Sequence, residues 1–174
     1  GLGDVYKRQG LAKLRPAFVK DGTITAASAS QISDGAAAVV LTTRENAETK
    51  GLEILATLGE YGQTAGPDTK LHSQPSQATA AALQKAGWEA GDLDFLEINE
   101  AFASVVAQSI KDLDYPLDKT NIHGGGISLG HPIGASGARL VVHAAHELKR
   151  RGSGKAAVSL CGGGGQGDAL LLWR

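Results

Sequence analysis

Two glycine-rich stretches of this chain each present one side chain that can carry a proton. The only cysteine, Cys161, is followed at once by the glycine run that ends at Gly165. A second stretch, from Gly124 to Gly134, presents His131. Glycine is unfavourable in chain entropy and is kept where the backbone must bend sharply or approach a ligand closely. A thiol and an imidazole presented in this way suggest a reaction site.

The two stretches meet two requirements of acyl chemistry, a proton carrier and an oxyanion site. The segment from Asn99 to Ala103 supplies a third, because it lies at a predicted strand-to-helix junction that can aim polar side chains into a cleft. Each residue taken alone also has an ordinary interpretation. Asn99 fits a helix cap, and Cys161 fits a small buried hydrophobe.

Glycine-rich loops also invite a phosphate-binding interpretation, which the residues do not support. Gly154 and Lys155 are followed by Ala156, where a P-loop needs Ser or Thr, and Lys149 occupies the position of its first glycine. The glycines at 162, 164 and 167 match GxGxxG after a strand, but no helix follows to receive a pyrophosphate.

The histidines do not predict a metal site. His143 and His146 can share one face of a helix, but no third ligand is in evidence. Ordinary surface or helix-packing histidines are the favoured interpretation. His72 carries little signal, whereas His123 lies beside the glycine turn, where a supporting role is open.

Composition restricts the class of protein. The 174 residues are 42% hydrophobic and 20% charged, which is typical of a globular chain. The net charge of -1 gives no reason to expect nucleic acid or a membrane as partner. A single cysteine cannot form an internal disulfide, so a reducing, cytoplasmic location is expected. Residues 1–9 fit no periodicity well and are interpreted as a non-native scar of sequence processing.

Strand and helix patterns alternate along the rest of the chain, which predicts an α/β layered sheet ending in a hairpin. We expect helices closed by glycine at Gly51 and Gly87. The predicted strands are Ala36–Leu41 (buried), Glu53–Tyr61, Leu93–Ile98, Ala156–Leu160 and Asp168–Trp173, and the predicted helices are Thr43–Lys50, Ser76–Ala86, Ala101–Leu113 and Ala135–Arg150, with a glycine-rich turn at Asn121–Pro132.

Four segments together closely resemble signature blocks of the thiolase family, in the family's order. They are Gly22 to Ala38 (GTITAASASQISDGAAA), Asn99 to Ala103 (NEAFA), Gly124 to Arg139 (GGGISLGHPIGASGAR) and Cys161 to Asp168 (CGGGGQGD). The resemblance covers essentially Leu11 to Trp173. It implies a thiolase-like layered fold, with a mixed sheet flanked by helices, and only the carboxy-terminal half of it. Residues 10–50 would be a remnant of the N-terminal thiolase domain (its last strand and helix), and residues 51–174 the C-terminal domain.

The resemblance also implies a reaction and site residues. Thiolases transfer acetyl or acyl groups between coenzyme A thioesters, through Claisen condensation or thiolysis, with acyl-CoA as substrate and no further cofactor. His131 matches the histidine that activates the nucleophilic cysteine, Asn99 the residue that holds the oxyanion-hole water, and Cys161 the acid/base that takes the α-proton. Gly163 matches a backbone oxyanion donor. Positions that match coenzyme A contacts are Ala26, Ser30, Ala101 and Phe102. Full-length family members imply a homo-oligomer, a dimer or a tetramer.

Departures from the family pattern leave alternatives open. No residue matches the nucleophilic cysteine of the amino-terminal half, so the chain is expected to be inactive alone. His123 stands where many members have Asn, and residues 165–168 differ from many biosynthetic members. A non-catalytic thiolase-like domain that binds coenzyme A or lipid thioesters is the alternative. A ketoacyl-synthase-like condensing enzyme is a further rival, which Cys161 in its glycine run disfavours.

Overall fold

The computed structural model describes residues 9–174, and the structural statements below concern these residues. The interpretation of residues 1–9 as a scar therefore falls, except for residue 9, outside the described residues. The strands are β1 (Thr57–Ala65), β2 (Phe95–Ile98), β3 (Lys155–Gly162) and β4 (Gln166–Trp173), and the α-helices are α1 (Arg44–Thr49), α2 (Gln74–Ala86), α3 (Ala103–Asp112), α4 (Gly126–Leu129) and α5 (Ser136–Arg151). Short 3-10 turns lie at Ala90–Asp92 and Leu117–Lys119.

The four strands form one mixed sheet in the order β1-β4-β3-β2. Strands β3 and β4 are the antiparallel hairpin predicted from the sequence, and β1 pairs antiparallel with β4. Strand β2 runs parallel to β3, with Ile98 opposite Ser159. The prediction of a mixed sheet flanked by helices is therefore confirmed.

Side chains alternate between the two faces of the sheet and bury two separate cores. On one face, Leu96 and Ile98 of β2 pack with residues of α2 and α3. On the other face, Phe95 packs with Leu140 and other residues of α5. The fold thus has three layers, with α2 and α3 on one side of the sheet and α5 on the other.

The helix boundaries follow local signals in the sequence. Helix α1 begins after Thr43, whose hydroxyl accepts a hydrogen bond from the Asn46 N–H, and the chain turns at Gly51 with a φ of 61°. Helix α2 ends at Gly87 in the left-handed conformation, as predicted, although it begins at Gln74, two residues earlier than expected. The glycine-rich turn contains the one-turn helix α4, which the sequence pattern did not indicate.

The predicted buried strand at Ala36–Leu41 is wrong. These residues belong to no strand, and the exposed fractions of Val40 and Leu41 are 92% and 66%. A strand needs a neighbour to satisfy its backbone groups, and the described sheet has β1 and β2 at its edges, neither of which pairs with this run. Apolar composition alone does not supply that neighbour.

The strand predicted at Glu53–Tyr61 lies four residues further along, at Thr57–Ala65. Before Thr57, the Arg174 guanidinium donates to the carbonyl oxygens of Ile54 and Leu55, in place of a strand partner. Beyond Tyr61, Gly62 lets the strand pass directly beneath α2, where a Cβ would overlap the Ala78 carbonyl oxygen. The register of the strand is thus fixed by a tertiary contact at Gly62.

Candidate active site

The carboxyl ends of β2 and β3 bring Asn99 and Cys161 to one edge of the sheet. Asn99 directly follows β2, and its N–H donates to the Ser159 carbonyl oxygen at 2.9 Å. Two residues beyond Ser159, Cys161 lies near the end of β3. Because the two strands are parallel neighbours, both residues lie at the same end of the sheet. Asn99 is fully buried, so its amide must be satisfied by protein groups.

Two side chains tie the loop that carries His131 to the end of β2. The Asn121 amide pairs with both backbone groups of Ile98, accepting from the N–H at 2.8 Å and donating to the C=O at 2.9 Å. It also donates to the Glu100 carboxylate at 2.9 Å, and the other Glu100 oxygen accepts from the Ile127 N–H at 3.0 Å. Glycine is required at position 125 because a Cβ there would overlap the Glu100 carboxyl group.

Sequence reasoning missed Glu100 and Asn121 as residues that hold the site. Glu100 lies within the block Asn99 to Ala103, so its position was marked, but its partner is 21 residues away in the chain. Asn121 has a φ of 49°, a conformation that asparagine tolerates better than most residues. The sequence signal that could have identified Asn121 is its position as the first residue of the glycine-rich turn.

His131 is held at both backbone and ring. Its N–H donates to the Gln31 carbonyl oxygen at 3.1 Å, and its Nδ1 lies 2.6 Å from the Ser136 hydroxyl at the start of α5. That hydroxyl donates to the Pro132 carbonyl oxygen at 3.0 Å, so its oxygen is left to accept from Nδ1–H. The neutral imidazole then keeps its lone pair on Nε2, where it can take up a proton.

The imidazole of His131 also contacts the amide of Asn99. The Asn99 Nδ2 lies 3.3 Å from Nε2 and 3.5 Å from Nδ1 of the ring. Burial lowers the pKa of His131, and the positive charge of Arg139 lowers it further. A neutral imidazole at pH 7 is the form that a general base requires. The structure thus brings the side chains of two of the predicted catalytic residues into direct polar contact.

Cys161 lies at the same edge of the sheet as a free, partly buried thiol. It packs with the core beneath α2 and α3, where Phe102 also lies. Burial raises the pKa of the Cys161 thiol. The backbone of Cys161 lies at the same strand end as Asn99, and the cleft shared by thiol and imidazole stays a prediction.

The glycines after Cys161 have separate structural causes. Gly164 and Gly165 turn the hairpin with φ angles of 90° and 81°. Gly165 and Gly167 also lie directly against the backbone of Asp68 and Gln74, where a Cβ would overlap a carbonyl oxygen. Gly163, like Gly164, has nothing within 4 Å of where a Cβ would be, so no close contact explains it as a glycine.

Three of the four predicted coenzyme A contacts lie together. The backbone N–H of Ser30 and its hydroxyl both point to the Ala101 carbonyl oxygen, at 3.1 and 3.2 Å. Phe102 bridges to Ala29, and its ring lies edge-on to Phe18 with 6.0 Å between centroids. Ala26 is exposed on the turn four residues before Ser30. Phe18 is an aromatic contact that the sequence analysis did not single out.

The remaining histidines form a different group from the one considered in the sequence. The Nδ1 atom of His143 lies 3.3 Å from the carboxylate of the buried Glu97, and this contact raises the pKa of His143. The Nε2 atom of His143 lies 2.9 Å from Nδ1 of His123. His146 is exposed on α5 and belongs to neither contact.

Between residues 9 and 174 there is no cluster of three or more side chains suited to a metal ion. Over the same range, no helix has the length and apolar character to cross a bilayer.

Comparison with known proteins places these residues in a family context. The model of the thiolase C-terminal domain matches residues 52–174, and that of the thiolase N-terminal domain matches residues 5–45. A probable acetyl-CoA acetyltransferase of Mycolicibacterium smegmatis is 57% identical over 95% of this chain and 43% of its own length. The human peroxisomal 3-ketoacyl-CoA thiolase is 49% identical over 99% of this chain and 41% of its own.

A solved structure extends the similarity to three dimensions. The crystal structure of the Bacillus anthracis acetyl-CoA acetyltransferase superimposes with a TM-score of 0.91 at 46% identity, over 95% of this chain and 42% of that one. The chain thus spans less than half the length of the relatives that it matches.

Proposed function

Because the chain belongs to the thiolase family, we propose that it forms the carboxy-terminal part of an enzyme that transfers acetyl or acyl groups between coenzyme A thioesters. The contact between the Asn99 amide and the His131 imidazole, next to the strand end that bears Cys161, is the observation that carries the proposal. Both side chains are held by the groups around them, which is what a proton-transfer site requires.

The proposed roles follow from what each group can exchange. Removing the α-proton of a thioester leaves an enolate, whose oxygen must be stabilised as charge develops. Cys161 takes this proton as thiolate, and its thiol returns a proton to the leaving group. Once His131 has taken up a proton on Nε2, its Nε2–H can donate to the oxygen of the second substrate, and the Asn99 amide acts on the same oxygen through a bound water. The N–H of Gly163, an exposed residue in the turn after β3, is assigned to the other oxyanion.

The buried thiol sets a condition on this mechanism. Burial alone favours the neutral form of Cys161, so the thiolate must gain stabilisation when the substrate and the rest of the enzyme enclose the site. His131 supplies the complementary step, since the lone pair on its Nε2 can accept the proton of the attacking thiol.

The nucleophilic cysteine of the thiolase reaction has no match in this chain, whose single cysteine is Cys161. We therefore propose that the chain is inactive alone and acts within a longer, cytoplasmic homo-oligomer, with acyl-CoA as substrate and no bound cofactor. The paired segments 28–30 and 101–103, with Ala26 beside them, form the surface proposed to contact coenzyme A.

A chimera tests the function. Residues 10–174 replace the matching part of the M. smegmatis relative, and thiolysis of acetoacetyl-CoA is measured. We expect activity in the chimera and a loss of at least about 100-fold in His131→Ala and Asn99→Ala, the range expected for a general acid/base or oxyanion group. His146→Ala is the matched control, because His146 is exposed on α5.

Two results separate the alternatives. A folded chimera that is retained on a column of immobilised coenzyme A but shows no thiolysis would support the non-catalytic binding domain. Near-parental rates in both alanine variants would show that the role assignment is wrong.

A further inference from the structure

Three side chains on one face of α5 contact polar side chains from β2, from the residue that follows it, or from the glycine-rich loop. The three contacts are Ser136 with His131, Arg139 with Asn99, and His143 with Glu97. The contact between Arg139 and Asn99 lies directly beside the proposed catalytic pair.

The contact of Arg139 determines the orientation of the Asn99 amide. The Arg139 Nη2 lies 3.3 Å from Asn99 Oδ1 and donates to it. A guanidinium has donors only, so the amide atom that faces it must be the oxygen. The N–H2 group of Asn99 is thereby directed toward the His131 ring. A reversed amide would set two donors against each other and leave the fully buried Asn99 unsatisfied.

Arg139 also brings a positive charge close to the proposed catalytic pair. Within residues 9–174, it forms no salt bridge with Asp or Glu, and its Nε is buried without a hydrogen-bond partner. The arginines at the far end of α5, Arg150 and Arg151, both pair with Glu147 instead. The positive charge of Arg139 therefore acts on His131, whose pKa it lowers in addition to the effect of burial.

We propose that Arg139 is a positioning residue of the acyl-transfer site, which fixes the Asn99 amide with its donors toward His131 and sets a positive charge beside the imidazole. The inference rests on the proposed function for its catalytic consequence. The geometry of the amide and the charge on the ring are properties of this chain in either case.

Two variants separate the donor from the charge. Arg139→Met removes both, and Arg139→Lys keeps the charge on a flexible stem without the planar fork. In the chimera, we expect Arg139→Met to lower kcat for thiolysis by about tenfold or more, less than the loss of a direct oxyanion donor. The acidic limb of the kcat/KM profile should move to higher pH, because His131 is more easily protonated without the cation. Arg139→Lys should restore the acidic limb and only part of kcat.

A titration of the His131 ring protons by NMR in the 174-residue chain tests the charge without any activity. We expect the pKa of His131 to rise in Arg139→Met by at least about half a unit and to stay near the parent value in Arg139→Lys. Arg44→Met, on the exposed helix α1, is the control and should change neither readout. If Arg139→Met does not fold, Arg139→Gln, which keeps an amide donor but no charge, replaces it and should show the same rise.

The outcomes distinguish the two proposals. An inactive parent chimera with the expected His131 titration would reject the proposed function and keep the electrostatic role of Arg139. A parent that is active, with Arg139→Met within about twofold of it in kcat and an unmoved acidic limb and titration, would overturn the role of Arg139 and keep the function.

Discussion

Replacing Glu100 with glutamine should loosen the loop that carries His131. The Glu100 carboxylate accepts from the Asn121 amide at 2.9 Å and from the Ile127 N–H at 3.0 Å. A glutamine side chain has one carbonyl oxygen, so one of these two donors must then face an N–H2 group. A hydrogen bond to a charged group contributes about 1.5–3 kcal/mol, and Glu100 is partly solvent-accessible, so water offsets some of the loss. We expect a net cost of about 2 kcal/mol in the free energy of unfolding.

Two measurements on the 174-residue chain check this value. The melting temperature should fall by about 4–8 °C, since a chain of this size loses about 2–4 °C per kcal/mol. If the opening is local to the loop, the Ile127 amide should exchange with solvent about 30-fold faster, which is the same 2 kcal/mol expressed as a ratio.

Glu60→Gln is the matched control for this variant, because Glu60 is an exposed carboxylate on β1. A melting temperature for Glu100→Gln within about 1 °C of the Glu60→Gln value, with unchanged exchange at Ile127, would refute the reasoning. The carboxylate would then not hold the loop in solution.

Three further variants test other parts of the structure. Gly62→Ala should destabilise the chain by about 3 kcal/mol or more in urea unfolding, because its Cβ would overlap the Ala78 carbonyl oxygen; a cost below about 1 kcal/mol would contradict the close approach of α2 to β1. The pKa of Glu147 is lowered to about 2, first by its hydrogen bond to Arg150, so its stabilisation is present above the unfolded pKa and is lost as the pH falls towards 2. Glu147→Gln should therefore cost about 1–2 kcal/mol at pH 7, and a cost that persists unchanged at pH 2 would contradict this. Burial raises the pKa of Tyr115 to about 12, so the Tyr115→Phe variant should lack the last phenolate to appear in an ultraviolet titration; loss of an earlier step instead would be the contrary result.

Local sequence signals predicted the elements well where the structure depends on local geometry. Gly87 ends α2 in a left-handed conformation that glycine adopts at low cost, and the glycine run from 162 to 165 turns the hairpin as expected. The same reasoning placed the buried strand at Ala36–Leu41 and was wrong there. Apolar residues indicate a tendency to be buried, but a strand also needs a partner, which pattern alone does not identify.

The site shows the same division between local and long-range information. The motifs marked Asn99 and His131, which the structure joins at 3.3 Å across 32 residues of sequence. Arg139 meets Asn99 across 40 residues, and no local pattern connects the two. Such side-chain contacts depend on how α5 crosses the sheet, so residues that hold others in place were found only from the structure. The roles of Cys161 and Gly163, and of the predicted coenzyme A contacts, stay predictions.

Deuterium exchange at the methyl group of acetyl-CoA tests the central claim most directly. The claim is that Cys161 removes this proton at the edge of the sheet where Asn99 and His131 meet. In heavy water, the chimera should exchange the methyl protons, and Cys161→Ala should exchange them at least about 100-fold more slowly, as expected for a lost general base. Exchange by a folded Cys161→Ala variant at the parental rate would contradict the account, because the proton would then leave to another group.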